Sequence, residues 1–391
     1  MQFLRKYLLL LFIVENLLAQ TKILGFLSGT LFYVFLALGL LLVPYCLSAK
    51  VYSACKPLYL LAGIYVLYEF TLGYSTISAE TLLYVLSKVV VFAIVIAGVT
   101  SNFSFYFQES SRLFAFLITG VLLYSILFGG MGELSSNQRM QLGFTNSNTT
   151  SMMGTIALAQ FLFFFKRMPW YVWLSVLVCL IGILGGGSRN AMLMAVVILF
   201  VRYGLTLRIV LVSLVMSFIV FYALPRMGIK TVGVERMENT IEGKEGNNRE
   251  VEREAARIMI AQKPISGWGY RAQNVGKAAK LSVLGSHSGY LEHIKFMGYP
   301  FALLLFAAIW FYALHYFRKL YPIRHVAVRF HISILLSLIV AAFFEAVWVG
   351  VHEIENTLFY MSMAVLSAYL YAYNRRKVKP AKLMMADDTS V

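Results

Sequence analysis

The residues whose types and spacing could support chemistry stand mainly in one stretch, Arg249 to Pro300, a polar interruption of a chain that is otherwise almost continuously apolar. Arg249, Arg253 and Arg257 recur every four residues, which sets them on one face of a helix, with Glu250 and Glu254 interleaved where they can pair. A solvated, salt-bridged helix is the plain reading of such a row; the functional one turns at least one arginine toward an anionic ligand. Pro264-Ile265-Ser266-Gly267-Trp268-Gly269 comes next as a rigid turn, in which Trp268 suits a membrane interface or the face of a sugar ring. His287, between Ser286 and Ser288, opens what reads as the next helix, with Tyr290, Leu291 and Ile294 on its first turns. Its imidazole, with an unperturbed pKa of ~6.5, suits a general base at neutral pH. His293 on the same helix competes for that role, and a hydrogen-bonded structural histidine is the plain alternative.

Two shorter segments add to this. Gly185-Gly186-Gly187-Ser188-Arg189 combines glycines that allow close backbone approach with an arginine whose fixed fork suits a phosphate. A helix cap followed by an arginine reaching the lipid headgroups is the competing reading. Arg139 precedes Gly143 and the triplet Asn146-Ser147-Asn148, whose asparagines read as a helix start. Glu69, Lys88 and Glu345 fall within apolar spans, either as a functional network or as partners of one another inside the bundle. No Asp-x-Asp or paired-carboxylate motif accompanies these residues, and Cys46, Cys55 and Cys179 lack metal-ligand spacing. No metal, cofactor or disulfide framework is therefore expected.

The elements that must position these residues are membrane helices. Of 391 residues, 60% are hydrophobic and 13% charged, and the mean hydropathy is +0.73. A soluble domain of this size would carry more charge on its surface. The expected fold is an all-α polytopic integral membrane protein, a single membrane domain over 1–391 with the lipid bilayer as its main solvent. About twelve apolar spans fall near 4–19, 23–43, 57–73, 80–99, 112–130, 149–165, 170–186, 190–204, 206–225, 297–317, 328–349 and 356–373, each close to the ~20 residues a crossing needs. Glu15 and Asn16 interrupt the first, which, after Arg5 and Lys6, also reads as a signal peptide.

Lys and Arg set the orientation. With the N-terminus inside, the inner loops carry Lys50, Lys56, Lys166, Arg167, Arg202 and Arg208, then Arg318, Lys319, Arg324 and Arg329, then a basic cytoplasmic tail over 374–391. The same parity places 131–148, 185–190 and the long loop 226–288 outside. The net charge of +16 does not point to nucleic acid, because the basic residues cluster beside the spans they orient.

In order along the chain stand Arg139, Gly143, Asn146-Ser147-Asn148, Ser188-Arg189, and Arg249 fifteen residues before Pro264-x-x-Gly267-x-Gly269; His287-Ser288-Gly289-Tyr290-Leu291 and Gly298 complete the series. This ordered set resembles the O-antigen ligase and polysaccharide polymerase family of bacterial membrane glycosyltransferases over roughly 139–300, while the first four spans carry no motif of it. It departs from the family pattern at Ser147, where Asn-Pro-Asn is usual, at Ser288, where His-Asn is common, and at Arg253, where an aromatic residue often stands.

The resemblance implies a large helical membrane-glycosyltransferase fold in the bacterial inner membrane, with both termini cytoplasmic. It implies transfer of a glycan from an undecaprenyl diphosphate carrier, on the outer face, to a hydroxyl of an acceptor glycan or glycolipid, without a metal. Arg189 and Arg249 would hold the diphosphate and stabilise its charge as it leaves. His287 would orient or deprotonate the acceptor hydroxyl, and Arg139, Ser188, Arg253, Trp268 and Tyr290 would line the substrate. A chain-length regulator and a flippase are implied partners. Polymerisation of O-antigen, capsular or exopolysaccharide repeat units is expected over ligation to lipid A core, because nothing in the loop marks a lipopolysaccharide-core site. A lipid-linked-sugar transporter is the reading of another class; the repeat symmetry and broken mid-membrane helices it calls for are not apparent in the sequence.

Overall fold

The computed structural model describes residues 1–21, 28–72, 79–128, 141, 144, 146–165, 168–204, 248–270 and 287–378. Arg139, Gly143, the expected span 206–225, most of the expected 226–288 loop and the tail beyond 378 lie outside the described residues.

The described residues form an all-helical fold, with one isolated β-bridge, Thr21 to Phe144. The helices are α1 (Gln2–Ala19), α2 (Ser28–Leu40), the short α3 (Val43–Cys46) and α4 (Ala49–Ala54), α5 (Lys56–Phe70), α6 (Ala79–Ser101) and α7 (Ser110–Phe128). Then come α8 (Ser147–Phe164), α9 (Trp170–Gly186), α10 (Arg189–Tyr203), α11 (Asn248–Gln262), α12 (Gly289–Leu320), α13 (Val326–Ala341) and α14 (Ile354–Val378). Most fall within expected apolar spans, but α4 lies between two of them, α11 lies in the expected 226–288 loop, and α13 ends at Ala341 where a span to 349 is expected. Among the described residues two stretches, Thr81–Ser101 and Gly289–Ile323, rather than the expected twelve, are long and apolar enough to cross a membrane by length and composition; Gly29–Leu40, Trp170–Gly186 and Val326–Ala341 are apolar but shorter. The expected 23–43 span is cut short because the chain turns after Leu40, and Pro44 starts a new short helix.

Helix α8 packs against α7, α9, α10 and α13 and is buried almost all round, its small polar N-terminal half included. The outward faces of the peripheral helices stay apolar: Phe3, Leu67, Trp170, Trp173, Val196, Leu303 and Phe311 are all exposed. In α1, Glu15 and Asn16 look like interruptions in the sequence but face inward. Glu15 pairs with His352 Nε2 at 2.6 Å, and Asn16 Nδ2 donates to Thr357 Oγ1 at 3.1 Å, while Leu8, Leu9, Phe12, Ile13 and Leu17 enter the core.

Hydrogen bonds tie the helix termini at one end of the bundle. Gln20 joins Glu355, Asn148 joins Glu345, and the Gly289 N–H donates to the carbonyls of Ala342 and Glu345. The opposite end holds Arg5, Lys6, Lys50, Lys56, Arg112, Arg202, Arg318, Lys319, Arg324, Arg329 and Arg375 at or beside helix termini.

The 342–353 connection between α13 and α14 forms the floor of the first end. Trp348 is fully buried there with φ 75. Lys88, itself fully buried in α6, does not pair with Glu69 or Glu345 as mutual pairing inside the bundle would have it. Its Nζ donates to the carbonyls of Trp348 at 2.6 Å and Gly350 at 2.7 Å. Asn356 accepts from the Trp348 N–H and donates to the Gly350 carbonyl and to Glu353.

Lys88→Met would strand both carbonyls, so it should cost about 3 kcal/mol, the scale of two buried hydrogen bonds to a charged donor. Denaturant unfolding of the purified protein in detergent measures this, and unchanged stability would mean the loop does not depend on the lysine. Burial pushes the Glu353 carboxyl up to about 7, with Glu355 adding to the shift and Lys88 and Asn356 opposing it. A carboxyl with a raised folded pKa stabilises the fold while protonated, and that contribution is lost as pH rises through about 7. Relative to Glu353→Gln, the wild type should therefore lose stability between ~pH 5 and ~pH 8, read from unfolding midpoints at each pH.

Candidate active site

Asn146 caps α8, its side chain accepting from the Asn148 N–H at 2.9 Å, so the expected helix start is where the triplet stands. Asn148, the second residue of the helix and buried, donates from Nδ2 to Glu345 Oε1 at 2.7 Å. Glu345 stands just past the end of α13, and its main-chain carbonyl takes the Gly289 N–H that opens α12. Two segments far apart in sequence thus meet on one residue.

His287 stands two residues before α12 with φ 48, a left-handed conformation sparsely used by residues other than glycine. Ser288 caps the helix by accepting from Leu291 N at 3.4 Å, which leaves His287 outside the helix and turned by its backbone rather than by helical register. The ring is 38% exposed; Nε2 lies 3.2 Å from Glu252 Oε2 and Nδ1 lies 3.8 Å from Glu345 Oε2. Glu252 comes from α11, which the alternation of buried Ala256, Met259 and Ile260 with exposed charges lays against α12.

The arginine row of α11 divides by face. Arg257 pairs with Glu254 at 3.1 Å, both well exposed, and such a surface pair contributes little. Arg253 turns inward, and its Nη2 donates to the Phe343 carbonyl at 3.4 Å, beside Glu345. Arg249 lies in the first turn of α11; its side chain is outside what the structure describes.

Arg189 is the first residue of α10 and is partly buried. The turn before it sits against the start of α8, because a side chain at Gly186 would collide with Ser147 and Ser151. Ser188 N donates to Ser151 Oγ at 3.4 Å. A cation at this helix N-terminus opposes the helix dipole. Ser188, expected to line the substrate, is a buried helix cap whose Oγ accepts from Ala191 N at 3.4 Å.

Two other expected substrate residues have structural surroundings. Tyr290 lies among Phe306, Phe343 and Trp348, its hydroxyl donating to Ile339 O and accepting from Trp310 Nε1. Trp268 donates from Nε1 to the Met259 carbonyl at 2.8 Å, closing the end of α11, and Lys263 Nζ covers a ring face at 4.4 Å. His293 is fully buried: Nδ1 donates to the Gly289 carbonyl, so Nε2 accepts from Tyr65 Oη at 3.0 Å, and no nitrogen is left for chemistry. Among the described residues, no group of His, Cys, Asp and Glu side chains is arranged to hold a metal ion.

The Pro-x-x-Gly-x-Gly turn works as a clasp. Gly267 and Gly298 both have positive φ and face each other, main chain against main chain. Trp268 N donates to Lys295 O, Gly269 N to Phe296 O, and Tyr299 N to Pro264 O, all within 2.8–2.9 Å. Gly298 breaks α12 with φ 70, and Pro300 is tolerated because it falls in the first turn of the helix as it resumes beyond that break.

Glu252 is a residue that sequence reading passes over, and Glu345 is read there only as a charge inside an apolar span. Glu252 shares its helical face with Ala256 and Met259, and a carboxylate on the apolar side of α11 was the available signal. The partners of Glu345 come from segments that no pattern within the span could reveal.

The chain matches no family model and no curated protein sequence.

Gly298→Ala would strain a left-handed position and drive Cβ into the carbonyl of Ile265, so we expect at least about 2 kcal/mol of destabilisation. Limited proteolysis should then cut α11 from the bundle before the rest unfolds. Resistance equal to wild type would show that the clasp does not hold α11.

Proposed function

We propose that the chain is a multi-pass membrane glycosyltransferase, moving a glycan from an undecaprenyl-diphosphate-type carrier to an acceptor hydroxyl and most readily polymerising repeat units. One observation carries this reading. The segments of the family resemblance that lie among the described residues gather at the bundle end opposite most lysines and arginines, with Asn148 and His287 both facing Glu345. In this reading that end faces outward, the apolar belt contacts lipid, and the helices with the 206–225 segment make up the twelve crossings.

In this reading Arg189 and Arg249 hold the diphosphate, and Arg139 and Arg253 contribute to substrate binding. His287 takes the acceptor proton as the hydroxyl oxygen bonds to the anomeric carbon. The bond from that carbon to the diphosphate oxygen breaks, and its electron pair leaves on the diphosphate.

The test is a reconstituted transfer assay with purified lipid-linked donor. Arg189→Ala should abolish transfer at normal protein level, and Arg189→Lys should rescue poorly, because an ammonium cannot reproduce bidentate contact. His287→Ala should lower turnover by ~10²–10⁴-fold while donor still binds. His293→Ala should instead lower stability, with turnover per folded molecule nearly kept. Full transfer by either the Arg189→Ala or the His287→Ala variant would sink the reading. In a deletion strain, single-repeat glycan on the core marks a lost polymerase, and long chains left on carrier lipid mark a lost ligase.

A further inference from the structure

We propose that Glu252 and Glu345 are positioning residues for His287, two carboxylates from separate elements that hold the imidazole between them and stabilise the charge it acquires. The proposal deepens the proposed function and rests on its assignment of His287 to the acceptor proton.

The geometry is that of a clamp. Glu252 approaches the Nε2 side at 3.2 Å and Glu345 the Nδ1 side at 3.8 Å. Their side chains are 11% and 14% exposed, against 38% for the ring they face. Glu252 Oε2 is buried and makes no hydrogen bond. A buried carboxylate oxygen in that condition is costly unless a positive charge stands close, and the imidazole is within that range. Glu345 cannot swing away freely, because Asn148 Nδ2 holds its other oxygen at 2.7 Å and its main chain is bonded into the start of α12. With φ 48, His287 lies outside helical register, so these contacts take over the work of aiming the ring.

The charged groups around the ring come from several elements. Helix α11 contributes Glu252 and Arg253, the latter donating to the Phe343 carbonyl. The 342–353 connection contributes Glu345, and α8 the neutral Asn148. Helix α12 carries Glu292, already paired with Lys295 at 2.6 Å, and α14 carries Glu355 within electrostatic range of Glu345. The two carboxylates flank the ring, one at each nitrogen.

Two anions at this range favour imidazolium over imidazole. For a group that takes a proton from a hydroxyl, they make the ring a stronger base and stabilise the charge it acquires as the hydroxyl oxygen attacks. With Nε2–H turned to Glu252, the proton is taken at Nδ1, whose 3.8 Å separation from Glu345 is too long for a hydrogen bond; it stays on the ring until the product leaves, and water carries it away.

The experiment uses the full-length protein in nanodiscs, with histidine labelled at ¹³Cε1 and the His287 signal assigned by its loss in His287→Ala. Titration is followed by NMR in wild type, Glu252→Gln, Glu345→Gln and Glu345→Asp, and kcat and KM for lipid-linked donor are measured across the same pH range. Each Gln variant should move the His287 midpoint, and the acid limb of kcat, to lower pH. Each should lower kcat by about tenfold or more at nearly constant KM. Glu345→Asp keeps the charge and should fall between wild type and Gln. An unmoved His287 midpoint in both Gln variants would refute the clamp, whatever the reaction proves to be. A moved midpoint with wild-type kcat, in a protein whose His287→Ala variant is inactive, would refute the positioning role while leaving the proposed function standing. Undiminished transfer by His287→Ala would overturn the assignment on which both rest.

Discussion

The buried amine of Lys88 is the contact on which the site end of the molecule depends. The 342–353 connection between α13 and α14 buries Val347 and Trp348, and the main-chain carbonyls and N–H groups around them find partners in the protein. Lys88 reaches across from α6 to take two of those carbonyls, Tyr84 takes the one between them at Val349, and Asn356 closes the Trp348 N–H. With its polar groups satisfied, the loop can keep Trp348 at positive φ in a packed aromatic setting. Glu345 leaves one end of this loop and His352 the other. Each reaches a different part of the bundle, Glu345 to α8 and the start of α12, His352 to Glu15 of α1.

Helix α11 is fastened in two ways that differ in kind. At its C-terminal side the clasp is main chain against main chain, closed by Gly267 and Gly298, and it admits no side chain. At its N-terminal side the contacts are polar and respond to charge, Glu252 to His287 and Arg253 to the Phe343 carbonyl. The first kind sets position once, at folding. The second can answer to protonation and to a bound anion, and it is the one nearest the candidate chemistry.

Periodicity and apolar length carry enough information to place nearly every described helix, because each must bury or expose a continuous face whatever its neighbours are. Asn146 as a helix cap was legible for the same local reason. His287 was legible as a residue at a helix start, and His293 was separable from it only by burial, which spacing alone does not report. Lys88 and Glu345 look alike in sequence, as charges in apolar spans. One serves main-chain carbonyls and the other serves Asn148, partners about 200 residues or more away in the chain. Arg253 shows the same gap: its row predicts a carboxylate partner within the helix, and its guanidinium meets a main-chain carbonyl from another element. Local pattern fixes which face a residue occupies; what it meets there is set by packing between segments.

Carboxylates stand close to arginines that the proposed reaction assigns to the substrate: Glu252 lies between Arg249 and Arg253 on α11, while Arg189 comes from a different helix. Arg189 begins α10, and the two carboxylates that flank His287 come from α11 and the 342–353 connection. In the proposed reaction a donor-side anion needs positive charge from the moment it binds. The acceptor side needs negative charge only as its proton moves to the imidazole. Asn148, a neutral donor from α8, occupies the Glu345 oxygen that does not face His287. A lysine or arginine in place of Asn148 would bind Glu345 more strongly, but it would spend the charge that Glu345 directs at His287. The neutral amide orients the carboxylate and leaves its charge in place, which is what a residue serving a neighbouring imidazole requires.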